Sequence, residues 1–200
     1  KPWFIAYSAN AFEDREKEIF STKSLEQYVS EADKKGDRGY FNFWHIPGSD
    51  FAEKQWQAVP GKFLIEAGPF LDNELGQAAL KFFSEYPDGH SDIAPEGWGC
   101  SPEYRYLPEE RKSGIYENIW ITRTSALPRM AAANVYTKGT IMAVTEQQEK
   151  AGKALFGEDL YAKIVKPAEA TTKELEEAGV AHKEVTTTTE VEKTIVDFSL

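Results

Sequence analysis

The stretch IYENIWITRT, residues 115–124, gives the clearest strand signal in this 200-residue chain. Its side chains fall into two interleaved sets with a period of two, which is the pattern of an extended strand. Helical spacing of apolar residues predicts two helices, one capped by Ser24 and one over residues 73–86. These elements predict an α+β domain with a small curved antiparallel β-sheet or barrel flanked by helices. Short apolar or aromatic runs predict the other strands, at residues 3–7, 40–45, 62–68 and 98–107.

The composition changes near residue 139. All five tryptophans and every arginine precede this point, whereas residues 140–200 are highly charged and contain only three aromatic residues. A segment of that composition does not build a core alone. We therefore predict a globular domain at residues 1–139, a helical extension at 140–182 and a linker or tail at 183–200. The predicted helices of the extension are residues 145–157, 158–165 and 173–179, the second stopped by Pro167 and the third capped by Thr171 or Thr172.

Charge and residue counts exclude several classes of function. The formal net charge is −10, the same sign as nucleic acid and anionic membrane surfaces. No run of about 18 apolar residues is present, which argues against a membrane-spanning helix. Cys100 is the single cysteine and there are three histidines, so neither an internal disulfide nor a structural zinc site is predicted. We expect no cofactor, no metal, no nucleic-acid partner and no membrane partner.

Ser101 and His45 are the candidate nucleophile and base. Ser101 follows two glycines at a strand start, where a hydroxyl is exposed and backbone N–H groups stand nearby to bind an oxyanion. His45 ends an aromatic strand before a Pro-Gly turn, a position that suits a general base. The structural alternatives are a histidine that caps a strand and a turn hydroxyl. Cys100 is a rival nucleophile, although a cysteine next to a tryptophan is more often a small core residue.

Four stretches in a fixed order carry a family resemblance. Together they resemble the tailed-phage prohead proteases, the capsid maturation proteases that are related in fold to herpesvirus assemblin. The resemblance covers roughly residues 3–139, and the rear segment resembles the helical extension that follows the protease domain in such chains. The stretches are YSANAFEDREKEIFSTKSLEQYV (7–29), GYFNFWHIPGSDFAEK (39–54), EGWGCSPEY (96–104) and YENIWITRTSALPRMAAAN (116–134).

The resemblance implies a serine protease site. It makes His45 the general base and Ser101 the nucleophile, with Arg123 as the candidate that assists at the oxyanion. Many family members carry a glutamate two residues before the serine of the closing motif, which here is Ser125, but Arg123 occupies that position. We therefore choose Glu117, on the same predicted strand, as the carboxylate that orients His45. Asp50 and His90 remain alternatives for this third position.

The resemblance also implies a biological setting. The protein would be a serine endopeptidase that cleaves scaffold and major capsid proteins, and itself, inside the assembling procapsid in the host bacterial cytoplasm. It would act as a homodimer. A stripe of apolar residues in the extension would either form the dimer contact or pack onto its own domain. The alternative function is a catalytically inactive, protease-like scaffold or capsid-interaction module, which the missing glutamate favours. The stripe consists of Ala151, Leu155, Tyr161, Ile164 and Val165.

Overall fold

The computed structural model of the protein describes residues 2–144 and 161–182. The strands in these ranges are β1 (Pro2–Asn10), β2 (Ile19–Phe20), β3 (Tyr40–Phe43), β4 (Ala52–Glu53), β5 (Trp56–Ala58), β6 (Phe63–Pro69), β7 (Trp98–Arg105), β8 (Arg111–Lys112), β9 (Ile115–Tyr116), β10 (Trp120–Pro128) and β11 (Lys138–Ala143). The helices are α1 (Thr22–Lys35), α2 (Glu74–Glu85) and α3 (Lys166–Glu177). Short 3-10 turns lie at Pro108–Glu110 and Arg129–Ala131, and a π-helical turn at Tyr161–Val165 precedes α3.

The strands form three sheets. The first has the order β11-β1-β6-β5 and is antiparallel throughout. The second has the order β4-β3-β10-β7, in which β3 and β10 run parallel and the other pairs are antiparallel. The third, β2-β9-β8, is small and also mixed. The α+β prediction is confirmed, and over residues 2–144 and 161–182 the sheets stay separate rather than closing into a barrel.

An aromatic core joins the first two sheets. The ring of Phe4, on β1, lies 5.1 Å from the rings of Phe41 and Phe51 and 4.9 Å from Phe83 on α2. All four side chains are at most 1% exposed. Burial of a phenylalanine contributes about 1.5–3 kcal/mol, so this cluster fixes β3 against β1 and determines where the end of β3 lies.

The stretch that signals a strand most clearly is divided in the structure. β9 ends at Tyr116 and pairs with β2 and β8, whereas β10 starts at Trp120 and pairs with β3 and β7. The two halves therefore belong to different sheets, and the prediction of one continuous strand over residues 115–124 is wrong. Period-two alternation identifies extended chain but does not indicate which strands become partners.

Polar side chains cap the first N–H groups of α1 and α2. Ser21, not Ser24, caps α1: its hydroxyl accepts the N–H of Ser24 at 3.0 Å. The predicted start of α2 is confirmed, since the Asn73 side chain accepts the N–H of Gly76 at 2.8 Å. Among the described residues, no helix has the length and apolar character needed to cross a membrane.

The C-terminal helix packs onto the domain. Ile164 and Ala168 are buried in the same cluster as residues of β1 and β6, and the Tyr7 hydroxyl donates to the carbonyl of Ile164 at 2.7 Å. The predicted stop at Pro167 is wrong, because this proline occupies the first turn of α3, where its missing N–H costs nothing. The helix predicted at 145–157 and the tail at 183–200 lie outside the described residues.

Candidate active site

Three neighbouring strands place polar side chains in rows on one face of the second sheet. Ser125 on β10 is paired with Asn42 on β3 and with Ser101 on β7. Arg123, two residues earlier on β10, is paired with Glu103 on β7. Because alternate residues of a strand share a face, Glu103 lies on the same face as Ser101.

The other face of these strands belongs to the core. Phe41, Phe43, Cys100 and Ala126 pack in the aromatic cluster. Cys100 is 1% exposed, and burial raises the pKa of its thiol, which keeps it protonated. The rival nucleophile therefore points into the core, away from the face that carries Ser101.

A tight turn brings His45 over this face. The strand predicted to end at His45 ends at Phe43, and the next two residues have positive φ, +49° at Trp44 and +56° at His45. Positive φ is unfavourable for residues with a side chain. Ser49 supports the turn, since its hydroxyl accepts the N–H of Phe43 at 3.0 Å and lies 2.7 Å from the carbonyl of Ile46.

The His45 ring bridges a hydroxyl and a carboxylate. Its Nε2 lies 3.0 Å from Oγ of Ser101, and its Nδ1 lies 3.1 Å from Oε1 of Glu103. An ionised carboxylate only accepts hydrogen bonds, so it favours the tautomer with hydrogen on Nδ1. The lone pair of Nε2 then faces the Ser101 hydroxyl. This is the arrangement that lets an imidazole remove a proton from a serine.

Glu103 was not among the residues selected from the sequence. It lies two positions after Ser101 in the stretch EGWGCSPEY, so the period-two rule would have placed both side chains on one face of the strand. The closing motif, in which many prohead proteases carry a glutamate, does not include this residue.

The structure does not bring Glu117 to His45. Glu117 follows β9, in the third sheet, and its N–H donates to the carbonyl of Glu110 at 3.1 Å. Within the part of the chain that the structure describes, the His45 ring forms hydrogen bonds with the side chains of Ser101, Glu103 and Ser125. The break between β9 and β10 removes the shared face on which the choice of Glu117 depended.

The other candidates have different partners. Arg123 forms a two-point ion pair with Asp50, at 2.8 Å and 3.2 Å, and the hydrogen bond and charge of Asp50 raise the pKa of Arg123. His90 lies in a separate loop, where its Nδ1 accepts the N–H of Asp92 at 3.2 Å and its ring contacts Tyr86. Among the described residues, no hydrogen bond joins Asp50 or His90 to the His45 ring.

A buried ion pair lies beneath β10. The side chains of Lys54 and Glu66 are fully buried, with 3.0 Å between Nζ and Oε1. Thr124 donates to the second Glu66 oxygen at 2.6 Å. Burial opposes the charge of Glu66, but the charge of Lys54 and the hydrogen bond from Thr124 outweigh it and lower the pKa of Glu66. The pair anchors β10 at the residue that precedes Ser125.

A cleft of about 160 Å³ opens beside Ser101. Asp14, Glu16, Glu18 and Asn134 are among the residues that line it. Asp14 is held in place because its carboxylate accepts the N–H groups of Glu16 and Glu18 at 2.8 Å and 2.9 Å. The lining of this cleft includes Cys100 and Tyr104, which belong to the face of β7 opposite the Ser101 side chain, and it includes neither His45 nor Glu103. The cleft therefore adjoins the strand that carries Ser101 without forming part of the contact between Ser101 and His45.

Across residues 2–144 and 161–182, no group of three or more His, Cys, Asp or Glu side chains is arranged to hold a metal ion. In comparisons with known proteins, no family model and no curated protein matches this chain.

Proposed function

We propose that this protein is a serine endopeptidase in which Ser101 is the nucleophile, His45 the general base and Glu103 the carboxylate that orients the imidazole. One observation carries the proposal: the His45 ring lies between the two other side chains, with Nε2 3.0 Å from the Ser101 hydroxyl and Nδ1 3.1 Å from the Glu103 carboxylate. Ser101 and Glu103 come from one strand, β7, and His45 comes from the strained turn after β3. Each of the three is at least partly exposed, so a substrate can reach them.

The reaction follows from these contacts. His45 Nε2 takes the Ser101 proton as Oγ bonds to the peptide carbonyl carbon, and the imidazolium then gives that proton to the leaving amine as the C–N bond breaks. Water next attacks the acyl-serine ester and loses a proton to His45, which returns it to Ser101 Oγ as the ester bond breaks. Glu103 stays ionised throughout and stabilises the imidazolium.

The substrates are proposed from the sequence resemblance to prohead proteases. Scaffold protein, capsid protein and the chain itself are the candidate substrates, with cleavage inside an assembling procapsid and a homodimer as the active form. The role of Arg123 at the oxyanion stays a prediction, since Asp50 accepts hydrogen bonds from its guanidinium.

A fluorophosphonate probe tests the proposal, because it reacts covalently with an activated serine. We expect the full chain to be labelled at Ser101, and Ser101→Ala to abolish the labelling. Ser91→Ala is the matched control, since this exposed hydroxyl donates to its neighbour Asp92 at 3.2 Å, and it should be labelled like the wild type. Absence of labelling in the wild type, alone and mixed with scaffold and capsid protein, would instead favour an inactive interaction module.

A further inference from the structure

We propose that Asn42 and Ser125 are positioning residues, which close a ring of hydrogen bonds that holds His45 and Glu103 in their reactive arrangement. The inference rests on the proposed function for its kinetic consequence, although the ring itself is a property of the fold. Neither residue touches Ser101 Oγ in a hydrogen bond, and both act through the histidine and the carboxylate.

The ring passes through four residues. The backbone N–H of His45 donates to Ser125 Oγ at 2.8 Å, and the Ser125 hydroxyl donates to Oδ1 of Asn42. The Asn42 amide donates from Nδ2 to Oε1 of Glu103 at 3.0 Å. That same oxygen lies 3.1 Å from Nδ1 of His45, which completes the circuit.

The chemistry of the donors and acceptors allows the hydrogen bonds of this ring to run in one direction only. The Glu103 carboxylate accepts and cannot donate, so Asn42 must turn its NH2 group toward Glu103 and its oxygen toward Ser125. Ser125 must then donate its one hydrogen to Asn42, which leaves its two lone pairs for hydrogens from His45. Those come from the backbone N–H and from Nδ1, 3.0 Å away. The ring therefore favours hydrogen on Nδ1, the tautomer that leaves Nε2 free to act on Ser101.

The burial of these two side chains indicates a specific role. Ser125 is 0% exposed and Asn42 is 1% exposed. Polar side chains are unfavourable in such positions unless their hydrogen bonds are satisfied, and here the partners are one another, His45 and Glu103. Ser125 also holds the N–H of a residue with positive φ, a conformation that the surrounding contacts must stabilise.

The test compares phosphonylation kinetics of full-length variants, with kinact separated from KI. Ser125→Ala removes the acceptor of the His45 N–H. Asn42→Asp preserves side-chain volume but places an oxygen against Glu103. We expect each to lower kinact by about 10- to 100-fold, as small misplacements of reactive groups do, with KI unchanged. The double variant should lose little more than the worse single variant, because the ring acts as a unit.

Ser49→Ala is the matched control. Ser49 stabilises the same turn through Phe43 and Ile46, but among the described residues it forms no hydrogen bond with His45, so its loss should lower kinact less than the loss of Ser125 does. Equal losses in Ser49→Ala and Ser125→Ala would overturn the inference, since the effect would then belong to the turn as a whole. Unchanged kinact in both Ser125→Ala and Asn42→Asp would also overturn it.

A second measurement separates this inference from the proposed function. If the wild type is not labelled, the protease proposal fails. The hydrogen-bond ring is then tested by measuring the hydrogen-exchange rate of the His45 backbone amide. That amide should exchange at least about tenfold faster in Ser125→Ala than in the wild type or Ser49→Ala, because its acceptor is gone. An equal exchange rate in all three proteins would refute the ring without reference to activity.

Discussion

Replacing Glu103 with Gln tests the proposed carboxylate with almost no change of shape. The substitution removes the negative charge that faces Nδ1 of His45 at 3.1 Å. The side chains of His45 and Glu103 are 39% and 31% exposed, respectively. The effective dielectric constant between them therefore lies between that of water and that of a pair near a protein surface. At a dielectric constant of about 40, the attraction between imidazolium and carboxylate is about 3 kcal/mol. Loss of that stabilisation corresponds to a rate decrease of about 100-fold.

The structure also predicts why the loss should not be larger. Amide nitrogen facing His45 would force the hydrogen onto Nε2 and cost about 10⁴-fold, as in proteases whose orienting aspartate becomes asparagine. Here Asn42 donates to the same Glu103 oxygen that faces His45. That donor should hold the carbonyl oxygen of the glutamine in place, so that only the charge is lost.

The assay is the phosphonylation rate of Ser101 at neutral pH. Glu117→Gln is the matched control, because it makes the same chemical change at the glutamate that the sequence predicted. It should leave the rate within about twofold of the wild type, because Glu117 follows β9 in the third sheet, away from the His45 ring. A Glu103→Gln rate close to that of the wild type would show that the carboxylate does not assist. A loss near 10⁴-fold would show that Asn42 does not hold the oxygen.

Other predictions concern stability and the remaining contacts. Lys54→Met should lower the free energy of unfolding by about 3–5 kcal/mol in urea denaturation, because it leaves Glu66 buried and unpaired. The lowered pKa of Glu66 stabilises the fold at pH values above the ordinary 4.5 and loses that effect as the pH falls through the folded-state value, so urea midpoints should fall in acid. Ile164→Ala should cost about 2–4 kcal/mol if α3 docks as described. Arg123→Ala should slow labelling more than Asp50→Asn if the guanidinium serves the oxyanion.

Local signals predicted most elements of the fold, whereas strand partners required the structure. The strands at residues 3–7 and 62–68 and the helix at 73–86 all recur with small changes of boundary, because apolar runs, caps and turn residues act over a few positions. The division of 115–124 between two sheets depends on β2, about a hundred residues earlier in the chain. No local pattern encodes which sheet each half of this stretch joins. The choice of Glu117 depended on the prediction of one continuous strand over these residues.

In the candidate site too, some relationships between residues could be predicted from neighbouring sequence, whereas others depend on strands that are far apart in the chain. Ser101 and Glu103 are two residues apart, so strand alternation alone relates them. His45 joins them only because β10 lies between β3 and β7, with Ser125 paired to both neighbours. The contribution of Ser125 and Asn42 depends on burial and hydrogen-bond direction, which no sequence pattern reports. Residue type therefore identified the side chains that are capable of the chemistry, and the order of the strands determines which of them are in contact.

The aromatic core and the candidate site lie on opposite faces of the same strands, so one strand register determines both. On β3, Phe41 packs into the core while Asn42 faces Ser125, and the pairing of β3 with β10 is parallel. A slip of β3 by one residue would bury Asn42 among aromatic rings and expose Phe41. That exchange is unfavourable on both faces, because it exposes apolar surface and leaves a buried amide without partners. The packing that stabilises the fold therefore also disfavours other strand registers, in which the His45 ring would not lie within hydrogen-bonding distance of Ser101.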